Sequence, residues 1–200
     1  MAGKLKILFV EDVLSDAELM IHEIEKNKIS FSKQITDNKE DYIEYLKDFQ
    51  PDLIISDYSL PRFDGMAALL LRNEQSPLIS FILVTGSVNE EVAVECMKAG
   101  ADDYILKENL SRLGPSIINA LKKAKLAKEK KSAEEELKKS ELRLQKAQAI
   151  AHVGNWELDL STKKMWSSKE AMKIYGLYDE SQKFTLIKFR KFRFPNTGQY

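Results

Sequence analysis

The stretch DLIISDYSLPRFDG at residues 52–65 has the pattern of a buried β-strand followed by a tight loop. The short apolar run Leu53–Ser56 leads directly to Asp57, and Pro61 and Gly65 then interrupt regular structure. The pattern therefore predicts a carboxylate at the end of a buried strand. Four further stretches have the pattern of a strand, the second of them more weakly: Lys6–Val10, Ser32–Thr36, Leu78–Val84 and Asp103–Leu106.

Helical patterns alternate with these strands. Apolar residues near helical spacing predict a helix from Leu110 onward and four earlier ones: Asp12–Asn27, Asp41–Phe49, Met66–Arg72 and Val88–Ala99. Gly100 stands where the last of these four should stop. Five strands that alternate with helices favour an α/β fold, in which crossover helices cover both faces of a parallel sheet. Ligands of such sheets bind at the carboxyl ends of the strands.

Several chemically active side chains lie at or just after predicted strand ends. They are Glu11 and Asp12, Asp57, Thr85 and Lys107. Carboxylates gathered in one crevice favour a hard cation, and Mg²⁺ suits oxygen ligands and water. A carboxylate can also attack phosphorus and form an aspartyl phosphate. Such a reaction needs charge neutralisation, which a metal ion and Lys107 could supply, while the Thr85 hydroxyl could bond a phosphoryl oxygen.

Four separated motifs resemble the receiver domain of bacterial two-component response regulators. ILFVEDVLSDAELM is similar to the first strand and acidic pair of that family, and DLIISDYSLPRFDG to its phosphoacceptor strand and loop. ILVTGS is similar to its switch strand and AGADDYILK to its last strand. The resemblance covers about residues 4–125, and the domain is expected to span residues 1–125. One departure is Gly86, where the family usually has alanine.

The resemblance implies a flavodoxin-like receiver fold, with a five-stranded parallel sheet of order 2-1-3-4-5. It implies that Asp57 accepts a phosphoryl group from a histidine kinase or a histidine phosphotransfer protein. It also implies Mg²⁺ as cofactor, on Asp12, Asp57, the backbone carbonyl of Ser59 and, through water, Glu11. Three residues would bind phosphate or act as the switch: Thr85, Tyr104 and Lys107.

A long helical connector follows the receiver-like segment. Between Leu113 and Ala151, glycine and proline occur only at Gly114 and Pro115. A heptad seam of alternating four- and three-residue spacing predicts a coiled-coil linker over residues 126–150 and a parallel homodimer. The seam residues are Ala133, Leu137, Ser140, Leu144, Ala147 and Ala151. The alternative interpretation is a single solvated helix.

The end of the chain resembles the start of a PAS sensor domain. The stretch QAIAHVGNWELDLSTKKMWSSKEAMKIYGL carries the similarity to an entry helix, two strands and a further helix. Residues 151–200 are therefore expected to be the N-terminal part of an α+β PAS-like domain that is truncated here. The order of receiver and PAS is similar to the front of a hybrid sensor kinase, so the natural protein is expected to continue past residue 200.

Composition limits the other possibilities. Residues 1–110 hold 11 basic and 21 acidic side chains, whereas residues 111–200 hold 20 and 10, which suggests two modules. The lone Cys96 forbids an internal disulfide and is expected to be a buried thiol. Neither a signal-peptide core nor an apolar run of membrane-spanning length is present, so the expected compartment is the cytoplasm.

Two other functions compete with the phosphoacceptor. A Mg²⁺-dependent phosphatase with an aspartyl nucleophile would need a second Asp two residues after Asp57, where the chain has Ser59. A DNA-binding transcriptional regulator would use the basic half, but no helix-turn-helix pattern follows Leu121 and no nucleic-acid partner is expected. The chain has no ATP-binding motif, so it is not expected to be a kinase by itself.

Overall fold

The first part of the chain forms one parallel β-sheet. The computed structural model describes residues 4–86, 90–162 and 164–176. The five strands of the sheet are β1 Leu5–Val10, β2 Phe31–Thr36, β3 Leu53–Asp57, β4 Ser80–Thr85 and β5 Asp103–Leu106. All adjacent pairs are parallel, and the strand order is β2-β1-β3-β4-β5. The α/β fold and the 2-1-3-4-5 order expected from the sequence are thereby confirmed.

Helices connect these strands. The connecting helices are α1 Leu14–Lys26, α2 Lys39–Lys47, α3 Gly65–Gln75 and α4 Glu90–Lys98, and α5 Leu113–Ala151 follows the last strand. The Asn38 side chain caps α2, and the Asp64 side chain caps α3 by accepting a hydrogen bond from the Ala67 N–H at 2.7 Å. Gly100 has a φ of 102°, so its position just past α4 requires a residue that tolerates the left-handed region.

The segment after β5 differs from the sequence prediction. The chain first forms a 3₁₀ helix, Lys107–Arg112, and the α-helix begins only at Leu113. Asn109 has non-helical backbone angles, which place a kink inside this 3₁₀ segment. Lys107 therefore stands where β5 passes into the 3₁₀ helix, at the carboxyl edge of the sheet.

The core has two layers, one on each face of the sheet. Ile7 and Phe9 of β1 pack in one layer, which also takes Met20 and Ile24 of α1 and Ile117 of α5. Leu8 and Val10 of the same strand face the other layer, as successive side chains of a strand must. That second layer contains side chains from α2, α3 and α4. It also holds Cys96, which is buried as the sequence predicted.

The chain divides into two compact units, residues 1–131 and residues 132–200, and the boundary lies within α5. The second unit contains the end of α5, an antiparallel hairpin and a short helix. These elements are β6 Trp156–Asp159, β7 Lys164–Ser167 and α6 Lys169–Ile174. The predicted PAS-like segment beyond residue 176 lies outside the described residues. Among the described helices, none combines the length and apolarity that crossing a membrane requires.

Candidate functional site

The carboxyl ends of β1, β3 and β5 place Glu11, Asp57 and Lys107 at one edge of the sheet. The register pairs Val10 of β1 with Ser56 of β3. The next residue of each chain segment, Glu11 or Asp57, therefore lies beside the other at the ends of these adjacent strands. The Glu11 N–H donates to the Thr36 carbonyl at 3.0 Å, which continues the pairing of β1 with β2 by one residue. Neighbouring parallel strands therefore deliver these side chains to the same crevice.

The Lys107 ammonium joins three carboxylates. Its Nζ lies 2.7 Å from Asp57 Oδ2, 2.9 Å from Glu11 Oε2 and 2.5 Å from Asp16 Oδ2. An ammonium group has three N–H donors, so these contacts engage all of them. We call Lys107, Glu11, Asp16 and Asp57 the Lys107 cluster.

Burial makes these contacts stronger than ordinary surface ion pairs. The Glu11 side chain is fully buried, the Asp57 side chain is 9% exposed and the Lys107 side chain is 21% exposed. Burial raises the pKa of Glu11, and this outweighs the hydrogen bonds from Lys107 and the Val13 N–H, which lower it. Charges held in such a place interact with less screening by water.

Lys107 remains positively charged in this environment. Burial by itself lowers the pKa of its ammonium, but the hydrogen bonds to Asp16, Asp57 and Glu11 together outweigh burial. The pKa of Lys107 is therefore raised above its ordinary value of 10.5. At neutral pH the crevice holds one fixed cation against several carboxylates.

The backbone around Asp57 holds its carboxylate in place. Asp57 Oδ1 accepts a hydrogen bond from the Ser59 N–H at 3.1 Å, while Oδ2 faces Lys107. The Ser56 hydroxyl donates to the Asp57 carbonyl at 2.8 Å, and the Tyr58 N–H donates to the Val84 carbonyl at 3.2 Å. The two carboxylate oxygens therefore have different surroundings, one bonded to a backbone amide and the other to a cation.

Gly65 allows the start of α3 to lie against this backbone. A Cβ at position 65 would stand 2.6 Å from the Asp57 carbonyl oxygen and 2.9 Å from the Tyr58 Cα. The Gly65 N–H also donates to the Tyr58 carbonyl at 3.1 Å. Because both close neighbours are backbone atoms, no side-chain movement can make room there. The predicted loop role of Gly65 thus has a steric basis.

The other predicted site residues lie around the Lys107 cluster. Thr85 is buried at the end of β4, and Tyr104 is partly buried on β5 against the second core layer. Asp12 is exposed just before α1 and stands outside the hydrogen bonds of the cluster. Ser59 is exposed, and its N–H rather than its side chain contacts Asp57.

Comparison with known proteins agrees with the fold. Residues 7–117 match the family described as "Response regulator receiver domain". This chain belongs to the response regulator receiver domain family. The receiver domain accounts for β1 to β5, for the intervening helices and for the beginning of α5. The match does not extend to the hairpin β6–β7 and α6.

Individual relatives support the same assignment. This receiver domain is similar to the probable C4-dicarboxylate response regulator DctR of Bacillus subtilis, at 32% identity over 68% of this chain and 59% of the relative. It is 36% identical to the regulatory protein LuxO of Vibrio cholerae, over 42% of this chain and 19% of the relative. The chain thus spans less than two thirds of either relative.

A solved structure gives the same result for the fold. The signal receiver domain of a putative Luxo repressor protein from Vibrio parahaemolyticus superposes with a TM-score of 0.57 at 29% identity. The superposition covers 63% of this chain and 96% of that domain. The similarity therefore concerns the receiver domain and leaves the later part of the chain uncovered.

The donor groups of this receiver domain suit a hard cation in chemistry. Within residues 4–86, 90–162 and 164–176, however, no three His, Cys, Asp or Glu side chains are grouped as a metal ion would require. Three carboxylates were expected to converge at this edge. Glu11 and Asp57 both contact the Lys107 ammonium, while Asp12 stays outside these contacts. Carboxylate oxygens at the same sheet edge are nonetheless the ligand type that Mg²⁺ takes, so the residue types suit that ion although they are not grouped around a metal position here.

Sequence reasoning missed Asp16 as a member of the receiver site. It lies in the first turn of α1 and contacts Lys107 from the helix side of the crevice. The available signal was its spacing, since Asp16 follows Asp12 by four residues and would share a helix face with it. The spacing alone could not identify Lys107 as the partner, because 91 residues separate the two.

Proposed function

We propose that this receiver domain is the phosphoacceptor of a two-component phosphorelay and that Asp57 takes the phosphoryl group. The observation that carries the proposal is the contact of 2.7 Å between Asp57 Oδ2 and the Lys107 ammonium. The contact brings a carboxylate and a cation together at one sheet edge, which supports the proposal. Phosphoryl transfer depends mainly on such positioning and charge neutralisation.

In the proposed reaction, an Asp57 carboxylate oxygen forms a bond to phosphorus while the bond between phosphorus and the donor breaks. The donor group leaves with the electron pair of that bond, as an imidazole when the donor is a phosphohistidine. Lys107 stabilises the negative charge on the phosphoryl oxygens. The Ser59 N–H holds the other Asp57 oxygen and so orients the carboxylate.

A bound Mg²⁺ would neutralise further charge on the transferred group. We propose Asp12, Asp57 and the backbone carbonyl of Ser59 as its ligands, with Glu11 acting through water. Asp12 is exposed and can turn toward a cation without leaving a hydrogen bond of the Lys107 cluster. Glu11 is fixed by burial and by its contacts with Lys107 and the Val13 N–H, which suits an indirect role.

We further propose that Thr85 and Tyr104 respond to the phosphoryl group. Thr85 ends β4, the strand next to β3, and the register places Val84 opposite Asp57. A hydroxyl at that strand end can bond a phosphoryl oxygen. Tyr104 lies on β5 opposite Leu83, so a change at the end of β4 can reach it through the adjacent strand.

The proposed partners are a histidine kinase or a histidine phosphotransfer protein as donor, and a second copy of this chain. Leu137 and Leu144 of the heptad seam are 61% and 60% exposed, and pairing of two α5 helices would remove them from water. We propose a parallel homodimer on this basis. The PAS-like identity of residues 151–200 stays a prediction that rests on sequence resemblance.

The decisive experiment is incubation with acetyl phosphate and Mg²⁺ followed by intact mass measurement. We expect a gain of one phosphoryl group by the wild-type chain and none by the Asp57→Asn variant. Asp41→Asn, which changes an exposed carboxyl on α2, is the matched control and should be phosphorylated like the wild type. Modification that persists in Asp57→Asn would place the acceptor elsewhere, and catalytic release of phosphate from an ester would favour a phosphatase.

A further inference from the structure

Asp16 contacts Lys107 at the shortest of the three distances in the Lys107 cluster. The separation of Asp16 Oδ2 from Nζ is 2.5 Å, against 2.7 Å for Asp57 and 2.9 Å for Glu11. Asp16 comes from α1, whereas Glu11 and Asp57 come from strand ends. Lys107 is therefore held from the helix side as well as from the sheet.

The location of Asp16 suits a residue that keeps its hydrogen bond to Lys107 throughout the reaction. It lies in the first turn of α1, where the unpaired N–H groups of the helix favour a negative charge. Its own backbone N–H donates to the Val13 carbonyl at 3.0 Å, so the start of the helix fixes its position. Lysine, in contrast, carries its ammonium on a flexible four-carbon stem that must be held to point in one direction.

The other two partners of Lys107 have a second role in the proposed reaction. Asp57 becomes the phosphorylated group, and Glu11 is proposed to reach the metal through water. Asp16 has neither role, so it can keep its hydrogen bond to Lys107 while the bonding of the other two changes. A lysine with one constant partner can direct its remaining N–H donors toward the incoming phosphoryl group.

We propose that Asp16 is a positioning residue for phosphoryl transfer, which holds the Lys107 ammonium beside Asp57. This inference rests on the proposed phosphoacceptor function. Asp16 acts through Lys107 and contacts neither the donor nor the metal. Its removal leaves Lys107 charged but less well oriented, so the reaction slows without a loss of the nucleophile.

A double-mutant cycle tests the dependence on Lys107. We expect Asp16→Asn to slow phosphorylation by acetyl phosphate about tenfold at saturating Mg²⁺, the effect of one charge-assisted hydrogen bond. In the Lys107→Ala background the same change should alter the rate by less than about twofold, because the partner is already absent. Asp16→Glu keeps the charge and should restore part of the rate.

Glu18→Gln is the matched control, because it removes one exposed charge from the same helix. It should react like the wild type. An equal slowing by Asp16→Asn in both Lys107 backgrounds, or no slowing at all, would overturn the proposal. A large loss of Mg²⁺ affinity in Asp16→Asn would also overturn it, since Asp16 would then be a metal ligand.

A second cycle separates this inference from the proposed function. The unfolding equilibrium constants of the wild type, both single variants and the double variant are measured without phosphoryl donor. Coupling of about threefold or more between Asp16 and Lys107 is expected for a direct hydrogen bond. If the wild-type chain takes no phosphoryl group, the proposed function fails, yet this cycle still decides whether Asp16 holds Lys107. Additive unfolding effects would refute that contact.

Discussion

Lys107 Nζ lies 2.7 Å from Asp57 Oδ2, although 50 residues separate the two in sequence. The contact joins the end of β5 to the end of β3, with β4 between them in the sheet. It is one of three carboxylate contacts made by the same ammonium. The charge balance around Asp57 therefore depends on Lys107.

The first prediction concerns the loss of that lysine. Lys107→Ala should lower the free energy of unfolding by about 1–3 kcal/mol, since the carboxylates lose their shared, partly buried cation. It should also uncouple phosphorylation of Asp57 from any change at Thr85 and Tyr104. Urea unfolding measures the free energy of unfolding. The NMR resonances of Tyr104, compared before and after phosphorylation, measure whether phosphorylation of Asp57 still changes its surroundings.

Lys123→Ala is the control for this experiment. Lys123 is paired with Asp102 at 2.9 Å but is 72% exposed, so its removal should change the free energy of unfolding by less than about 1 kcal/mol. If Lys107→Ala behaved like Lys123→Ala in both measurements, the description of the crevice would be wrong.

The second prediction concerns Asp12. Asp12→Ala should weaken Mg²⁺ binding by at least about tenfold and slow phosphorylation, because a proposed ligand is lost. The fold should be unaffected or slightly stabilised, since an exposed acidic group beside other carboxylates is removed. Calorimetric titration with Mg²⁺ measures the affinity, and Glu44→Ala on α2 controls for net charge. Unchanged affinity in Asp12→Ala would exclude it as a ligand.

The third prediction concerns the close approach at Gly65. Gly65→Ala should destabilise the domain by about 1–3 kcal/mol, because the new Cβ overlaps the Asp57 and Tyr58 backbone. Phosphorylation should slow as Asp57 is displaced. Gly86→Ala is the comparison, since no described atom lies within 4 Å of a Cβ at position 86. Equal stability of the two variants in urea unfolding would contradict the packing at Gly65.

The fourth prediction follows from the raised pKa of Glu11. The folded state holds the Glu11 proton more tightly than the unfolded state, whose pKa is near 4.5. The free energy of unfolding should therefore fall as pH rises from 4.5 to the raised pKa. Lys107 stays charged throughout this range, and Asp57 adds a repulsion that disfavours ionised Glu11. Urea unfolding across this range measures the slope.

Glu11→Gln should lack this contribution to the pH dependence, because glutamine does not titrate. The stability of the wild type relative to Glu11→Gln should thus decrease as pH rises through the stated range. Glu18→Gln, an exposed change on α1, should keep the wild-type slope. Parallel curves for wild type and Glu11→Gln would show that burial does not raise the pKa of Glu11.

The fifth prediction concerns assembly through α5. Leu137→Lys together with Leu144→Lys should convert the proposed homodimer to a monomer, because charges would face each other along the seam. Leu142→Lys changes a half-exposed leucine of the same helix outside the seam and should leave the dimer intact. Sedimentation at micromolar concentration measures the state. A wild-type chain that is strictly monomeric would refute the homodimer and leave Asp57 unaffected.

The sequence by itself determined the fold class and the strand ends at which the candidate site lies. Short apolar runs must be buried, and their alternation with helical patterns leaves few arrangements other than a covered parallel sheet. Asp57 was identifiable because it directly follows such a run, and Lys107 because it follows another. The family resemblance then supplied the strand order, which periodicity alone does not contain.

Only the tertiary structure decided which groups meet. Asp12 and Asp16 are both acidic residues near the start of α1, yet Asp16 contacts Lys107 while Asp12 remains exposed outside the Lys107 cluster. Likewise, the sequence identifies Gly65 only as a loop glycine. The structure shows that a Cβ at this position would overlap the backbone of Asp57. The physical reason is that hydrogen bonds and steric overlap act over a few ångströms. The relevant neighbours are set by how helix and sheet pack, which residue spacing along one chain does not specify.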